Sequence, residues 1–208
     1  MINLFRYDNK FFEALEKVTN IITLNFLCIL FSIPIITIGA SITSTYYVAM
    51  KIVRNEEGYI FKMFIKSFKE NFKVSTVVWI SIMVIGLILI LDFRISNMIS
   101  NSVISNVFKF ILMVASTITI FNFTYIFPII SKFENSIKNT IINAVFMSVQ
   151  NLPYTIIMVL LNLIPIISIL FFRNYLGYIV FFYLVIGYAV VSCINSLLLN
   201  NIFNKYIN

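Results

Sequence analysis

Residues 74–91 of this chain carry no charged side chain, and residues 107–130 carry only one, Lys109. The hydrocarbon core of a bilayer is about 30 Å thick, and a helix needs about 20 apolar residues to cross it. Of all 208 residues, 61% are apolar and 11% are charged, whereas a soluble domain is about half apolar and about a quarter charged. The sequence therefore predicts an integral membrane protein.

The other apolar runs complete an all-α fold, a polytopic transmembrane helical bundle in a single domain over residues 1–208. A chain of this length has room for one such bundle, because the connections between its apolar runs are short. A cytoplasmic amphipathic helix is predicted at about residues 58–73, before the third crossing. Six transmembrane helices are predicted, at about residues 9–33, 41–53, 74–91, 107–130, 144–172 and 175–199.

The first two helices are predicted to form a hairpin whose crest contains Pro34, Gly39 and Ser41. Proline removes a helix donor and glycine permits a tight turn, so the chain is expected to reverse direction here. The second arm, residues 41–53, is short, because at 1.5 Å per residue it covers only about 20 Å. It is therefore either a short crossing or a re-entrant segment that turns within the bilayer.

Lysine and arginine residues indicate the orientation, because cytoplasmic segments of membrane proteins carry an excess of them. If six helices cross and the N-terminus is cytoplasmic, 12 of the 15 basic residues lie on the cytoplasmic side. If only five helices cross, the division is nine to six. The better prediction is therefore six helices with both termini in the cytoplasm.

The amphipathic segment at residues 58–73 is the most distinctive local pattern. In one interpretation its apolar face enters the bilayer interface or the base of the bundle, while its lysines reach lipid phosphates. In the other it docks a cytoplasmic partner, and Arg54, Glu56 and Glu57 extend its polar surface. At about 100° per residue, the apolar face contains Phe61, Phe64, Ile65, Phe68 and Phe72, and the adjacent basic stripe contains Lys62, Lys66, Lys69 and Lys73.

The absence of histidine from the sequence removes whole classes of chemistry. It excludes Ser/His/Asp triads, histidine zinc ligands and imidazole proton shuttles. The sequence shows no phosphate-binding loop, metal cluster or nucleophile beside a base, so we predict no enzyme activity, no cofactor and no metal site. The basic residues lie between apolar runs, a position that favours the lipid bilayer over nucleic acid as their partner.

The predicted membrane interior holds amides and hydroxyls but lacks ionisable residues. Ion-driven carriers commonly place ionisable residues there, so proton-coupled transport is disfavoured. The polar side chains could line a substrate path, but hydrogen bonding between helices is their commoner role. They are Asn25, Ser41, Thr43, Ser44, Asn122, Thr124, Asn162 and Asn195.

Two groups of motifs resemble the YesL family of bacterial membrane proteins. The first runs from Leu30 through Pro34 and Gly39 to Ser41, followed by Tyr46-Tyr47. It continues in Glu57-Gly58-Tyr59-Ile60-Phe61, Ser67-Phe68-Lys69 and Asn71-Phe72-Lys73. The second group consists of Phe127-Pro128, Phe133-Glu134-Asn135, Asn143-Ala144 and Asn151-Leu152-Pro153.

This resemblance implies a protein of the bacterial cell membrane whose family has no assigned function or catalytic residues. Genes for members of the family often lie near those for carbohydrate ABC transporters, which implies a role in sugar uptake by association. We therefore expect a non-enzymatic accessory or regulatory partner in carbohydrate uptake, with an ABC transporter or another membrane protein as its partner. The alternative is a small-molecule transporter or permease component.

Overall fold

The structure, a computed structural model, describes residues 10–207, and its regular elements over that range are helical. Short 3₁₀ turns at Ile35–Thr37 and Arg173–Tyr175 precede α2 and α7, and a π turn at Tyr183–Gly187 joins α7 to α8. The start of the first helix predicted near residue 9 lies outside the described residues. The helices are α1 (Lys10–Ser32), α2 (Ile38–Val53), α3 (Ile60–Ser96), α4 (Ser102–Lys132), α5 (Ile137–Gln150), α6 (Leu152–Phe171), α7 (Leu176–Phe182) and α8 (Tyr188–Ile207).

The prediction of six membrane-spanning helices agrees with the structure in number. Within the described residues, six helical stretches are long and apolar enough to cross a bilayer. The last of them contains the π turn and so joins α7 to α8. The stretches are Phe12–Ser32, Ile35–Val53, Ile60–Ser96, Ser102–Lys132, Leu152–Phe171 and Arg173–Tyr206.

The amphipathic segment at residues 58–73 is not confirmed as a separate cytoplasmic helix. Its residues form the first turns of α3, which continues without interruption for 37 residues. Between Tyr59 and Ile85 the sequence contains neither proline nor glycine, so nothing interrupts the i to i−4 hydrogen bonds. The lysine stripe and the uncharged residues 74–91 therefore belong to one continuous helix.

The predicted helix at residues 144–172 is instead divided between α5 and α6. Asn151, with φ −118° and ψ 43°, lies outside helical geometry and separates the two helices. Its side-chain Nδ2 donates to the Met147 carbonyl at 3.0 Å, which satisfies one of the free acceptors at the end of α5. Pro153 stands in the first turn of α6, where a missing N–H costs no helical hydrogen bond.

Helix α2 is the central element of the bundle, although it is one of the shorter helices. It packs against α1, α3, α4 and α8. Small side chains make this possible because they let neighbouring backbones approach closely. Its buried small residues are Gly39, Ala40, Ser41, Thr43, Ser44, Thr45 and Ala49.

The predicted hairpin of α1 and α2 is present. The Lys17 Nζ donates to the Asn55 Oδ1 at 2.5 Å, which places the early part of α1 beside the residues that follow α2. Asn55 has a φ of 54°, a conformation that asparagine tolerates better than most residues. The arms are therefore antiparallel, with the crest around Pro34 at the opposite end.

Candidate functional site

The crest of the hairpin is packed against α3. The Trp79 Nε1 donates to the Ile35 carbonyl at 2.9 Å. At Gly39 the fit is closer still, since a Cβ there would lie 2.5 Å from the Ser75 carbonyl oxygen and 2.6 Å from the Trp79 Cβ. Only glycine permits this approach between α2 and α3.

Pro34 and Ser41 lie on either side of the turn that connects α1 to α2. Pro34 has extended geometry, with φ −75° and ψ 119°, and separates α1 from the 3₁₀ turn. The Ser41 hydroxyl donates to the Cys28 carbonyl on α1 at 2.8 Å. Since α2 begins at Ile38, Gly39 and Ser41 lie in its first turns rather than in a loop. The three predicted crest residues thus hold α1, α2 and α3 together.

The four lysines of the basic stripe are exposed along the first turns of α3. Lys66 approaches Glu70 at 4.0 Å, and the Lys62 ammonium lies 5.7 Å from the centroid of the Tyr59 ring. Ion pairs this exposed contribute little to stability. The stripe, with Lys69 and Lys73, is therefore a solvent- or lipid-facing surface and not part of the packing of the bundle.

Two phenylalanines of the predicted apolar face are packed inside the bundle. Phe64 is completely buried, and the Phe31 ring of α1 lies 5.4 Å from it and 4.9 Å from the Phe68 ring. Phe61 and Phe72 remain exposed. Phe64 and Phe68 anchor α3 to the hairpin, and Phe64, which is fully buried, is not available to dock a partner.

Arg54 and Glu57 lie in the connection between α2 and α3, away from most of the stripe. The Arg54 Nε donates to the Met50 carbonyl at 3.1 Å, and its guanidinium lies 3.7 Å from the Glu56 carboxylate. Glu57 lines a cleft shared with Glu13, Lys17 and Asn55. The six predicted surface residues are thus not gathered into one site.

An open polar groove lies between α3 and the connection from α4 to α5. It has a volume of about 660 Å³. No carboxylate among the described residues lies within 4.0 Å of Lys132, so its ammonium is open to an external acceptor. The charged and amide residues lining the groove are Lys66, Glu70 and Asn71 from α3, Lys132 from the end of α4, and Glu134 and Asn135 from the connection.

Sequence reasoning selected Lys66 as a candidate surface residue, and it noted Asn71, Glu134 and Asn135 only as residues of the motifs that carry the family resemblance. Residues 131–143 fall between two predicted crossings, and nothing in the sequence places such a segment beside residues 66–71. A local signal in this segment marks the start of α5 but does not locate the groove. The Ser136 side chain accepts from the Asn139 N–H at 3.3 Å, and a serine at this position is a typical start of a helix.

The interior amides Asn25 and Asn195 join helices, as expected. The Asn25 Nδ2 donates to the carbonyls of Tyr183 at 3.2 Å and Leu184 at 2.7 Å, and its Oδ1 accepts from the Ala189 N–H at 2.9 Å. Asn195 donates to the Tyr46 hydroxyl at 3.2 Å and to Asn162 at 3.0 Å. The π turn and the participation of Tyr46 were not predicted.

The described residues offer no group of three or more His, Cys, Asp and Glu side chains that could hold a metal ion. Cys28 and Cys193 are both buried free thiols. The polar features of residues 10–207 are thus an open groove, a small acidic cleft and buried amide networks. These arrangements suit binding and helix packing.

Two comparisons relate the chain to known proteins. Residues 21–93 match the family described as "Protein of unknown function, DUF624". The uncharacterized protein YesL of Bacillus subtilis (strain 168) is 25% identical over 139 residues, which make up 65% of this chain and 65% of that protein. The chain thus covers less than two thirds of the relative's length. No solved structure matches the chain. Together the matches confirm the resemblance predicted from the sequence motifs.

Proposed function

We propose that this YesL-family protein is a non-enzymatic accessory or regulatory component of the bacterial cell membrane, and that its polar groove binds a partner. The groove of about 660 Å³ carries this proposal, because its volume falls within the range of about 300–1,000 Å³ that binding pockets occupy. It lies at the lysine-rich end of α3, which the charge distribution assigns to the cytoplasm.

The chemistry of the groove favours a polar protein segment as its occupant. Lys132 and Glu134 both line it, and neither forms an ion pair within 4.0 Å in the described part of the chain. A segment carrying both signs of charge, such as a cytoplasmic loop of a membrane-protein partner, would complement both side chains. The family resemblance supports a sugar transporter of the ABC class as that partner.

Charge reversal within the groove tests this proposal against a matched control on the same helix. The double variant Lys66→Glu and Lys132→Glu should reduce co-purification of the partner from native membranes by at least about tenfold, since unpaired or repelled charges at an interface cost about 2–5 kcal/mol. The variant Lys62→Glu and Lys69→Glu makes the same change in net charge outside the groove. Quantitative mass spectrometry of the captured membrane proteins provides the measurement.

The expected result is a transport subunit that is lost with the groove variant and retained with the control. Equal capture by the wild type and both variants would show that the groove binds no partner. Equal loss with both variants would instead assign the effect to the overall basic surface. Insertion of each variant is checked by its yield in the membrane fraction.

The proposed orientation, with both termini in the cytoplasm, leads to a labelling prediction. In a chain lacking Cys28 and Cys193, an impermeant maleimide added to intact cells should label Met98→Cys, because Met98 is 80% exposed between α3 and α4. It should leave Lys205→Cys unlabelled until the cells are opened. Labelling of Lys205→Cys in intact cells would overturn the orientation.

The alternative function, a transporter or permease component, has one supporting observation. A cavity of about 150 Å³ lies within the bundle. That volume is below the range of about 300 Å³ and above that is usual for ligand pockets. Uptake of a candidate sugar by vesicles containing the purified protein alone would favour this alternative over the accessory role.

A further inference from the structure

The cavity inside the bundle has the size of a single ring. It lies between α2, α4, α6, the π turn and α8, and its volume is about 150 Å³. A dry cavity of about 150 Å³ lined by aliphatic and aromatic groups is large enough to hold benzene. Ile42, Phe127 and Pro165 supply apolar wall surface of this kind.

The wall also carries hydrogen-bonding groups with unused capacity. Tyr46 and Asn162 line the cavity, and both accept from the Asn195 Nδ2 behind them, at 3.2 Å and 3.0 Å. Because the Tyr46 oxygen accepts, its own hydrogen remains free to donate. Asn195 itself does not line the cavity, and its Oδ1, behind the wall, is buried without a hydrogen-bond partner among the described residues.

Unused capacity of this kind in a buried site calls for an explanation, because most buried polar groups in proteins are hydrogen-bonded. The lining contains no charged side chain, so an ion would lose its hydration without gaining a counter-charge. An uncharged molecule with one oxygen acceptor would use the Tyr46 donor while its ring fills the apolar part. Size, charge and hydrogen bonding thus select the same class of ligand.

We propose that this cavity binds a small uncharged ring compound that carries a hydroxyl group. The hydroxyl oxygen accepts from Tyr46, and the ring packs against Ile42, Phe127 and Pro165. Tyr183, the first residue of the π turn, also lines the cavity. Because π turns are frequent at functional sites, this wall is a reasonable place for a ligand. The inference is independent of the partner groove, which lies elsewhere in the bundle.

The chain contains its own reporter for this site. Trp79 is the only tryptophan, and its ring centroid lies 6.3 Å from that of Phe123 and 6.4 Å from that of Phe127, both of which line the cavity. Tryptophan fluorescence of the purified full-length protein in detergent can therefore be titrated with phenol and with benzene. The two probes differ only in the hydroxyl group.

Phenol should give a saturable change with an affinity about five- to tenfold higher than that of benzene, the factor expected for one hydrogen bond. Tyr46→Phe should remove this preference, and phenol should then bind no more tightly than benzene, because its hydroxyl would be buried without its partner. Tyr206→Phe removes a tyrosine hydroxyl that bonds to Gln150, outside the cavity, and should keep the preference. Ile42→Phe should fill the cavity and abolish both responses, with circular dichroism confirming that the variant is folded.

Three outcomes would overturn the proposal. They are a linear response that empty detergent micelles reproduce, equal affinities for phenol and benzene in the wild type, and a phenol preference that survives in Tyr46→Phe. If Ile42→Phe does not fold, the comparison of Tyr46→Phe with Tyr206→Phe still decides the matter. Each of these two variants changes a single hydroxyl and leaves the ring in place.

Discussion

Gly39→Ala should lower the free energy of unfolding by about 2–3 kcal/mol, toward the upper end of the usual cost of overpacking. The added methyl group would lie 2.5 Å from the Ser75 carbonyl oxygen and 2.6 Å from the Trp79 Cβ. Neither atom is the end of a flexible side chain, so α2 and α3 must separate. Separation would also weaken the bond from Trp79 to the Ile35 carbonyl.

Gly86→Ala is the matched control, because it makes the same change in the same type of structure. Gly86 lies within α3, and a Cβ there would have no heavy atom within 4 Å. The change should stabilise the protein slightly, by at most about 1 kcal/mol, because alanine is the better helix former. Denaturation in mixed micelles, followed by circular dichroism and Trp79 fluorescence, measures both variants. Equal stabilities would show that the crest is not packed against α3.

The sequence predicts the helices of this fold well because their signal is local. Uncharged runs of sufficient length indicate crossings wherever they occur, and proline and glycine indicate the hairpin. Boundaries are less well determined. Hydropathy marks the point where residues become apolar, at Val74, whereas the helix begins at Ile60, because backbone hydrogen bonds are indifferent to the charge of Lys62 and Lys66.

The sequence could not predict how far along α3 the crest of the hairpin lies. Gly39 packs against Ser75 and Trp79, near the start of the uncharged residues 74–91. Residues 80–96 of α3, about 25 Å of helix at 1.5 Å per residue, therefore continue beyond the crest. The second arm of the hairpin therefore does not match α3 in reach.

The candidate site was predicted only in part for a related reason. Periodicity identified the lysine stripe correctly as exposed, but it could not tell which phenylalanines of the apolar face enter the interface and which pack at the base of the bundle. Phe64 is fully buried and Phe61 is 51% exposed. A helix pattern gives the angle between side chains but not which neighbour each one meets, and Phe31 of α1 covers Phe64.

Asn25→Leu should destabilise the protein by about 3 kcal/mol or more, because three hydrogen bonds to backbone groups, one of them the fully buried Ala189 N–H, disappear together. The carbonyls of Tyr183 and Leu184 and the N–H of Ala189 are held by this one amide. A π turn disturbs the regular hydrogen bonds of a helix, so these groups have few alternatives in the interior. Leucine is close to asparagine in size, and the change therefore removes polarity with little change in volume.

Asn122→Leu makes the identical change at an amide that contributes little. Its Nδ2 lies 3.5 Å from the Ile141 carbonyl, at the limit of a hydrogen bond, and its Oδ1 has no partner among the described residues. The control should shift stability by less than about 1 kcal/mol, since it removes one weak bond and one unsatisfied acceptor. Thermal unfolding of both purified variants measures the difference.

If Asn25→Leu loses no more stability than Asn122→Leu, the hydrogen bonds from Asn25 to the π turn and α8 do not contribute to stability. A large, selective loss would instead show that α1 and the last crossing are joined through Asn25. In that case, movement of the π turn at the wall of the cavity would be transmitted directly to the hairpin.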